Sequence, residues 1–213
     1  RSYGFRPGRG THDVQKYLFL NLKSNANGQT KRVIELDIEK CFDRINHQAI
    51  LDKVIGPQCV KKSLQFCLKM GIDPDYPKQG TPQGGVVSPL LANIVLNGIE
   101  SIHPSVRYAD DMIYILKPKD DEKKVLEKIH DFLDQRGMKI SQAKTKITAT
   151  TSGFDFLGWH FKVRKDGRFQ SQPSKKNYEN IQKKIKAVVK NSAYGATQKS
   201  DLLGPIVRGW RNY

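Results

Sequence analysis

A short alternation of apolar and polar side chains marks residues 32–38 as a strand. Every second residue from Ile34 to Ile38 is aliphatic, and the positions between them end in Asp37. In a strand, successive side chains point to opposite faces, so the aliphatic set lines one face. The pattern predicts a half-buried strand that carries a carboxylate near its C-terminal end.

The rest of the chain alternates between helical and strand-like patterns. Apolar positions three or four residues apart predict a helix after Thr11, its expected cap, and further helices at 47–55, 58–70, 86–99, 121–136 and 174–190. Short apolar segments predict strands at 138–140, 147–150 and 154–163, and a hairpin over 106–115 that turns at Ala109-Asp110-Asp111. A hairpin does not arise from βαβ repetition alone. The order therefore favours an α+β fold, an antiparallel sheet covered on one face by helices.

Charge narrows the class of partner. The 213 residues carry 37 Lys and Arg against 21 Asp and Glu, a formal net charge of +16. Residues 162–213 hold 13 basic and 3 acidic side chains, so +10 of the surplus lies in the last quarter. Such a surplus favours a polyanion, because each neutralised phosphate releases counterions. A solvated basic face and affinity for an anionic membrane are the alternatives.

The cysteines and the apolar runs exclude other classes. Cys41, Cys59 and Cys67 form neither a zinc spacing nor a disulfide framework, and the five histidines are scattered. No apolar run approaches the roughly 20 residues of a membrane-spanning helix. The first residues show neither an initiator Met nor a signal-peptide pattern, so we expect the interior of a longer, intracellular protein in a reducing compartment.

Adjacent carboxylates occupy the tip of the predicted hairpin. Asp110 and Asp111 could simply form a turn, a common position for aspartate. The apolar residues on both sides, however, place this hairpin in a core. Two side-by-side carboxylates near a core repel each other and lose hydration, so they need a cation. Mg²⁺ fits, because it takes oxygen ligands and keeps substrate phosphates in its shell.

Asp37 is the candidate third carboxylate. A strand-end aspartate beside an Asp-Asp hairpin is what a two-metal phosphoryl-transfer site requires. The predicted catalytic residues are Asp37, Asp110 and Asp111, and the predicted metal-binding residues are these three and Ile38. Glu39 and Asp43 are left out, since Glu39 is expected to be solvated and Asp43 to cap the following helix.

Read together, several segments resemble the reverse transcriptases encoded by group II introns of bacteria and organelles. They follow the family's order and cover nearly the whole chain. They are YGFRPGRGTHD at 3–13, LDIEKCFDRINH at 36–47, GTPQGGVVSPLLAN at 80–93, RYADD at 107–111, KTK at 144–146 and FDFLG at 154–158. The resemblance implies the fingers and palm of a right-hand polymerase with an antiparallel palm sheet, followed by the start of an α-helical thumb, or maturase, domain.

The resemblance also implies contacts to the incoming nucleotide. Phe42 matches the aromatic under the nucleotide sugar, where a ring would clash with a 2′-hydroxyl. Gln83 matches the glutamine that contacts the nucleotide, and Arg32 and Lys144 are expected near its phosphates. A core phenylalanine at 42 and a plain surface lysine at 144 are the alternatives.

Further resemblance concerns the primer and the nucleic-acid backbone. Phe156, Leu157 and Gly158 match the primer grip, although simple core packing is the alternative for Leu157. Cationic residues expected to bind nucleic acid lie in the N-terminal loop and the C-terminal helices: Arg6, Arg9, Lys175, Lys176, Lys183 and Arg208. A solvated charged face remains the alternative for any single lysine.

We expect fingers and palm over residues 1–172, with the fingers interleaved at about 1–31 and 71–88. A basic helical thumb segment, expected to be incomplete, would occupy 173–213. Two departures from the family matter. The connection after Glu100 is short where the family usually carries an insertion, and the chain lacks the family's DNA-binding and endonuclease regions.

The leading hypothesis is an RNA-directed DNA polymerase of a group II intron-encoded protein that also assists splicing and retrohoming. Its expected partners are RNA template and DNA primer, intron RNA, DNA target and dNTPs. No membrane is expected, and a homodimer is left open. A bacterial cytoplasmic or an organellar location is expected. A catalytically silent RNA-binding splicing maturase and a defence- or CRISPR-associated reverse transcriptase are the alternatives.

Overall fold

The computed structural model describes residues 1–69, 78–81 and 85–211. Periodicity predicted six of the eight helices in these ranges, with α5 shorter than predicted, and it did not predict α2 or α8. The helices are α1 Thr11–Leu22, α2 Cys41–Arg44, α3 His47–Lys53, α4 Gln58–Lys69, α5 Ser88–Val95, α6 Glu122–Asp134, α7 Lys175–Lys190 and α8 Ala196–Arg211. The strands are β1 Arg32–Leu36, β2 Ile38–Glu39, β3 Ser105–Tyr108, β4 Asp111–Leu116, β5 Lys139–Ile140, β6 Lys146–Ala149, β7 Phe154–Phe156, β8 Trp159–Val163 and β9 Phe169–Pro173.

The central sheet has four strands in the order β3-β4-β1-β6. All its neighbours are antiparallel, with Leu36 opposite Met112 and Tyr108 opposite Asp111. At one edge the N-terminal segment runs beside β3, since the backbone N–H of Tyr3 donates to the carbonyl of Arg107 at 2.9 Å. The fold is therefore the predicted α+β arrangement, and the hairpin turn joins the edge strand β3 to the central strand β4.

Both faces of the sheet are covered, whereas helices on one face were predicted. On one face, Ile34, Leu36 and Tyr114 pack into a core with residues of α2 to α6. On the other, Val33 and Ile113 pack with α1 and with the three-stranded sheet β7-β8-β9. Val33 and Ile34 are both fully buried, because helices cover one side of β1 while α1 and the second sheet cover the other.

Helix α2 and the turn after it differ from the prediction at the helix cap. Asp43 lies inside α2 and does not cap the next helix. Asn46 caps α3, because its side chain accepts hydrogen bonds from the backbone of Gln48 and Ala49. Glu39 is exposed, as predicted, and lies 3.7 Å from Arg44. In α1 the cap is Gly10, one residue before the predicted Thr11, and its N–H donates to the Asp13 carboxylate.

Helices α7 and α8 pack against each other, and none of the residues 175–190 or 196–211 is fully buried. The sequence pattern predicted α7 but missed α8, which contains Pro205. No helix in the described ranges is long and apolar enough to cross a membrane.

Candidate active site

The ends of β1 and β4 bring the predicted carboxylates together. Leu36 pairs with Met112, so continuing the antiparallel register by one residue places Asp37 beside Asp111. Asp110 occupies the turn between β3 and β4, next to Asp111. Residues 73 positions apart in sequence thus meet at one end of the sheet, and only strand pairing makes this possible.

The pKa of Asp111 also reflects the proximity of Asp110 and Asp37. Loss of hydration on burial, followed by the charges of Asp110 and Asp37, raises the pKa of Asp111 to about 6, while Lys144 acts in the opposite direction. Residue Asp111 is exposed as a whole, so solvent screens part of this repulsion. Beneath the cluster, burial first and then Asp110 raise the pKa of the Cys41 thiol to about 12. The thiol is therefore neutral at physiological pH.

Lys144 is held against the carboxylates by its loop. Its Nζ lies 3.3 Å from Oδ2 of Asp37, and the backbone N–H of Ser141 donates to the Asp37 carbonyl at 2.9 Å. The N–H of Lys144 in turn donates to the Ser141 carbonyl at 3.2 Å. These two hydrogen bonds tie the loop that carries Lys144 to the backbone of Asp37. The lysine side chain itself remains largely exposed.

The carboxylates fit a divalent cation on two observations. Oδ2 of Asp37 is buried and accepts no directed hydrogen bond, despite the nearby ammonium. The donor set is oxygen only, the preference of Mg²⁺. Within the described part of the chain, no three His, Cys, Asp or Glu side chains converge closely enough, as they stand, to hold an ion. Ile38 pairs with Ile140 and its side chain lies in the core, so only its backbone carbonyl could contact a metal.

The described residues that were predicted to contact the nucleotide lie at different distances from the three carboxylates. Phe42 lies in α2, its ring half-buried against the core, and its carbonyl accepts the N–H of Thr81 at 2.7 Å. Gln83 lies outside the described residues. Arg32 sits at the other end of β1 from Asp37, a span of about 16 Å at the rise of a strand. Its guanidinium bonds Glu122 at 2.5 Å and the carbonyl of Asp120 at 2.9 Å. The structure therefore does not bring Arg32 to the three carboxylates.

The predicted primer grip forms a two-residue hairpin turn. Phe156 pairs with Trp159, and between them Leu157 and Gly158 have φ of +50° and +82°. Positive φ at both positions matches the right-handed twist of the flanking strands, yet only glycine adopts it without strain. The Gly158 carbonyl accepts the N–H of Ser174, which caps α7, at 2.8 Å. The turn is thereby tied to the first of the two basic helices.

The predicted cationic residues lie on two separate surfaces. Arg6 and Arg9 are exposed in the N-terminal loop; Arg6 donates to Ser2 Oγ at 3.1 Å and Arg9 stacks 5.8 Å from the Tyr3 ring centre. On the α7–α8 hairpin, four further cations are exposed: Lys175, Lys176, Lys183 and Arg208. All are accessible to a polyanion.

A groove of about 1230 Å³ lies elsewhere, between α6 and the segment of β5 to β6. Its described lining includes Leu126, His130 and Ile140 and none of the three aspartates. The groove and the three carboxylates are therefore separate features of the described residues.

The sequence did not predict the hydrogen bonds that surround Arg107. Arg107 is fully buried, and its Nε donates to Glu100 Oε1 at 2.7 Å. Its Nη1 donates to Oδ1 of Asn93 at 2.8 Å and to the carbonyl of Ala109 at 2.9 Å. The signal in the sequence is an arginine between apolar residues on a core hairpin, with a glutamate seven residues earlier.

An antiparallel sheet with paired aspartates on a hairpin turn, and a third at the end of the neighbouring strand, defines the palm of a right-hand polymerase. The family model described as reverse transcriptase (RNA-dependent DNA polymerase) matches residues 1–161, and this chain belongs to that family.

Two proteins of related sequence are a maturase-like protein and a group II intron-encoded protein. Maturase-like protein 1 of Euglena gracilis is 34% identical over 100% of this chain and 46% of its own length. Group II intron-encoded protein LtrA of Lactococcus lactis is 26% identical over 78% of this chain and 40% of its own length. The chain thus spans less than half the length of these relatives, and it is similar to maturase-like and group II intron-encoded proteins within the part that it covers.

Solved structures share the fold. Apo telomerase from Candida tropicalis superposes with a TM-score of 0.63, covering 88% of this chain and 40% of that chain at 16% identity. At this identity the likeness shows the fold alone, the fingers and palm of a polymerase.

Proposed function

We propose that this chain catalyses RNA-directed DNA synthesis, as the fingers and palm of a group II intron-encoded protein. The observation that carries the proposal is the convergence of Asp37, Asp110 and Asp111 at the ends of β1 and β4. Three carboxylates at neighbouring strand ends repel each other, which costs the fold stability. A site for cations and nucleotide phosphates accounts for them.

Asp37, Asp110 and Asp111 would hold Mg²⁺, joined by the Ile38 carbonyl. The ions would lower the pKa of the primer 3′-hydroxyl and neutralise the phosphates of the incoming dNTP. The chain's own residues supply orientation. Lys144 adds a positive charge 3.3 Å from Asp37, and Phe42 offers a half-buried ring for the sugar. Gln83 completes the proposed nucleotide contacts.

The primer and template would lie against the two cationic surfaces. The Leu157–Gly158 turn is bonded to the start of α7, so a primer end held there would be positioned together with the basic hairpin. We assign residues 1–172 to fingers and palm and 173–213 to the beginning of the thumb. RNA template, DNA primer, intron RNA and a DNA target follow from this assignment, and a homodimer remains a further proposal.

Primer extension tests the proposal. The wild-type chain with Mg²⁺ should extend oligo(dT) on poly(rA), and Asp110→Asn should abolish extension while template–primer affinity stays within twofold. Asp166→Asn, an exposed aspartate on the β8–β9 turn, is the matched control. Extension by Asp110→Asn at the control's rate would contradict the assignment.

A silent RNA-binding splicing factor is the second candidate. Two observations favour it: the match of this whole chain to 46% of a protein named maturase-like, and the exposed lysines of α7. Absence of extension by the wild type, together with tight binding of structured RNA, would select this function and reject the polymerase.

A further inference from the structure

The turn that carries Asp110 is a strained one. Tyr108 pairs with Asp111, so Ala109 and Asp110 form a two-residue connection, and Ala109 has φ of +58°. Two-residue hairpins usually place glycine, asparagine or aspartate at such a position, because a Cβ there is crowded. An alanine in this conformation persists only when its surroundings hold it.

The guanidinium of Arg107 donates a hydrogen bond to this turn. Its Nη1 donates to the carbonyl of Ala109 at 2.9 Å, the residue with the unfavourable φ. The same nitrogen donates to Asn93 of α5 at 2.8 Å. One guanidinium therefore joins the turn to a helix of the core.

Glu100 fixes the other end of the guanidinium. Nε donates to Oε1 at 2.7 Å, and Nη2 lies 2.7 Å from the same oxygen without a directed hydrogen bond. The other carboxylate oxygen accepts the N–H of Gly98 at 3.2 Å. Burial acts to raise the pKa of Glu100, but the charge of Arg107, a hydrogen bond from the backbone of Glu100 and the hydrogen bond from Arg107 outweigh it and leave the pKa lowered. The pair is thus ionised on both sides, and the guanidinium has a fixed orientation.

The N-terminal segment also lies against the turn, at Gly4. Asn93 Nδ2 donates to the Gly4 carbonyl at 3.0 Å. Gly4 itself lies so close that an added Cβ would come within 2.3 Å of the Ala109 nitrogen. Asn93 therefore links two neighbours of the turn, Arg107 and Gly4.

We propose that Arg107, held by Glu100 and Asn93, is a positioning residue that fixes the Ala109–Asp110 turn and so aims the Asp110 carboxylate for nucleotidyl transfer. The inference rests on the proposed polymerase function. Lysine cannot replace the arginine, because one ammonium does not offer the separated, coplanar donors that reach Glu100, Asn93 and Ala109 at once.

Arg107→Lys tests this inference, since it keeps the buried charge beside Glu100. Thr150→Val is the matched control. It removes a buried hydroxyl that lies within hydrogen-bond reach of the carbonyls of Gly28 and Lys31, at the other end of β1 from the turn. Any loss caused by reduced stability alone should appear in both variants.

Two measurements separate positioning from stability. Amide hydrogen exchange over residues 105–112, with residues 122–134 as internal reference, should rise at least roughly fivefold in Arg107→Lys only. Primer extension should show kcat lowered by on the order of 10²-fold, the effect of a misplaced reacting group, with the KM for primer–template within twofold. Unchanged hairpin exchange, or kcat matching Thr150→Val, would overturn the inference.

If the wild type extends no primer, the proposed polymerase function and this catalytic role both fail. The hydrogen exchange then still shows whether Arg107 holds the turn.

Discussion

Nζ of Lys144 lies 3.3 Å from Oδ2 of Asp37, a buried oxygen that accepts no directed hydrogen bond. The ammonium therefore partly neutralises the carboxylates. Under the proposed function, the lysine and a metal ion would compete for the same negative charge.

Removing this lysine should change metal affinity and catalysis in opposite directions. In Lys144→Met, Mg²⁺ affinity should rise about two- to fivefold, the scale of an exposed ion pair, because a competing cation is lost. The rate of dNTP incorporation should fall. Calorimetry and single-turnover extension measure the two, with Lys162→Met on β8 as exposed control. Weaker Mg²⁺ binding in Lys144→Met would contradict the competition.

Phe42→Ala tests sugar discrimination. If the ring lies under the sugar, its loss should raise the ratio of ribonucleotide to deoxyribonucleotide incorporation by at least roughly tenfold. Stability should fall by about 2 kcal/mol, since the ring is half-buried. Phe66→Ala, an exposed aromatic of α4, is the control. A change in stability with unchanged sugar selectivity would leave Phe42 as a core residue only.

The positive φ of Leu157 predicts that even a small substitution there lowers the free energy of unfolding. A β-branched side chain at φ of +50° is poorly tolerated, so Leu157→Val should lower the free energy of unfolding by about 2 kcal/mol. Leu126→Val makes the same chemical change at a half-buried position of α6 and should cost less. Urea unfolding compares the two variants, and equal costs would show that packing, not φ, dominates at 157.

Glu100→Gln should show a pH-dependent loss of stability. The pKa of Glu100 is lowered in the fold, so its contribution is fully present above the ordinary value of 4.5 and is lost as pH falls through the lower folded pKa. At pH 7.5 the variant leaves Arg107 buried and unpaired, a cost of about 3 kcal/mol. Urea unfolding from pH 7.5 to 3 should show this gap narrowing.

Glu122→Gln is the control for that series. Glu122 pairs with Arg32 at the surface, so its loss should cost less than about 1 kcal/mol. A gap for Glu100→Gln that stays constant down to pH 3 would mean that the buried pair does not depend on ionised Glu100.

Local pattern was enough for much of the fold. The alternation that ends in Asp37 predicted β1, and apolar spacing predicted α6 and α7 within one or two residues. It failed at α8, because Pro205 and its neighbouring glycine argue against a helix on propensity alone. Packing against α7 overrides that preference.

What the sequence by itself determined is the set of carboxylates and the elements that carry them, since strand alternation and turn chemistry depend on near neighbours in the chain. Tertiary structure decided which strand ends meet. It brought Asp37 beside Asp111 and left Arg32 about 16 Å away at the far end of β1. It also decided that Arg107 is buried, because only packing brings Asn93, Glu100 and Ala109 within reach of one guanidinium.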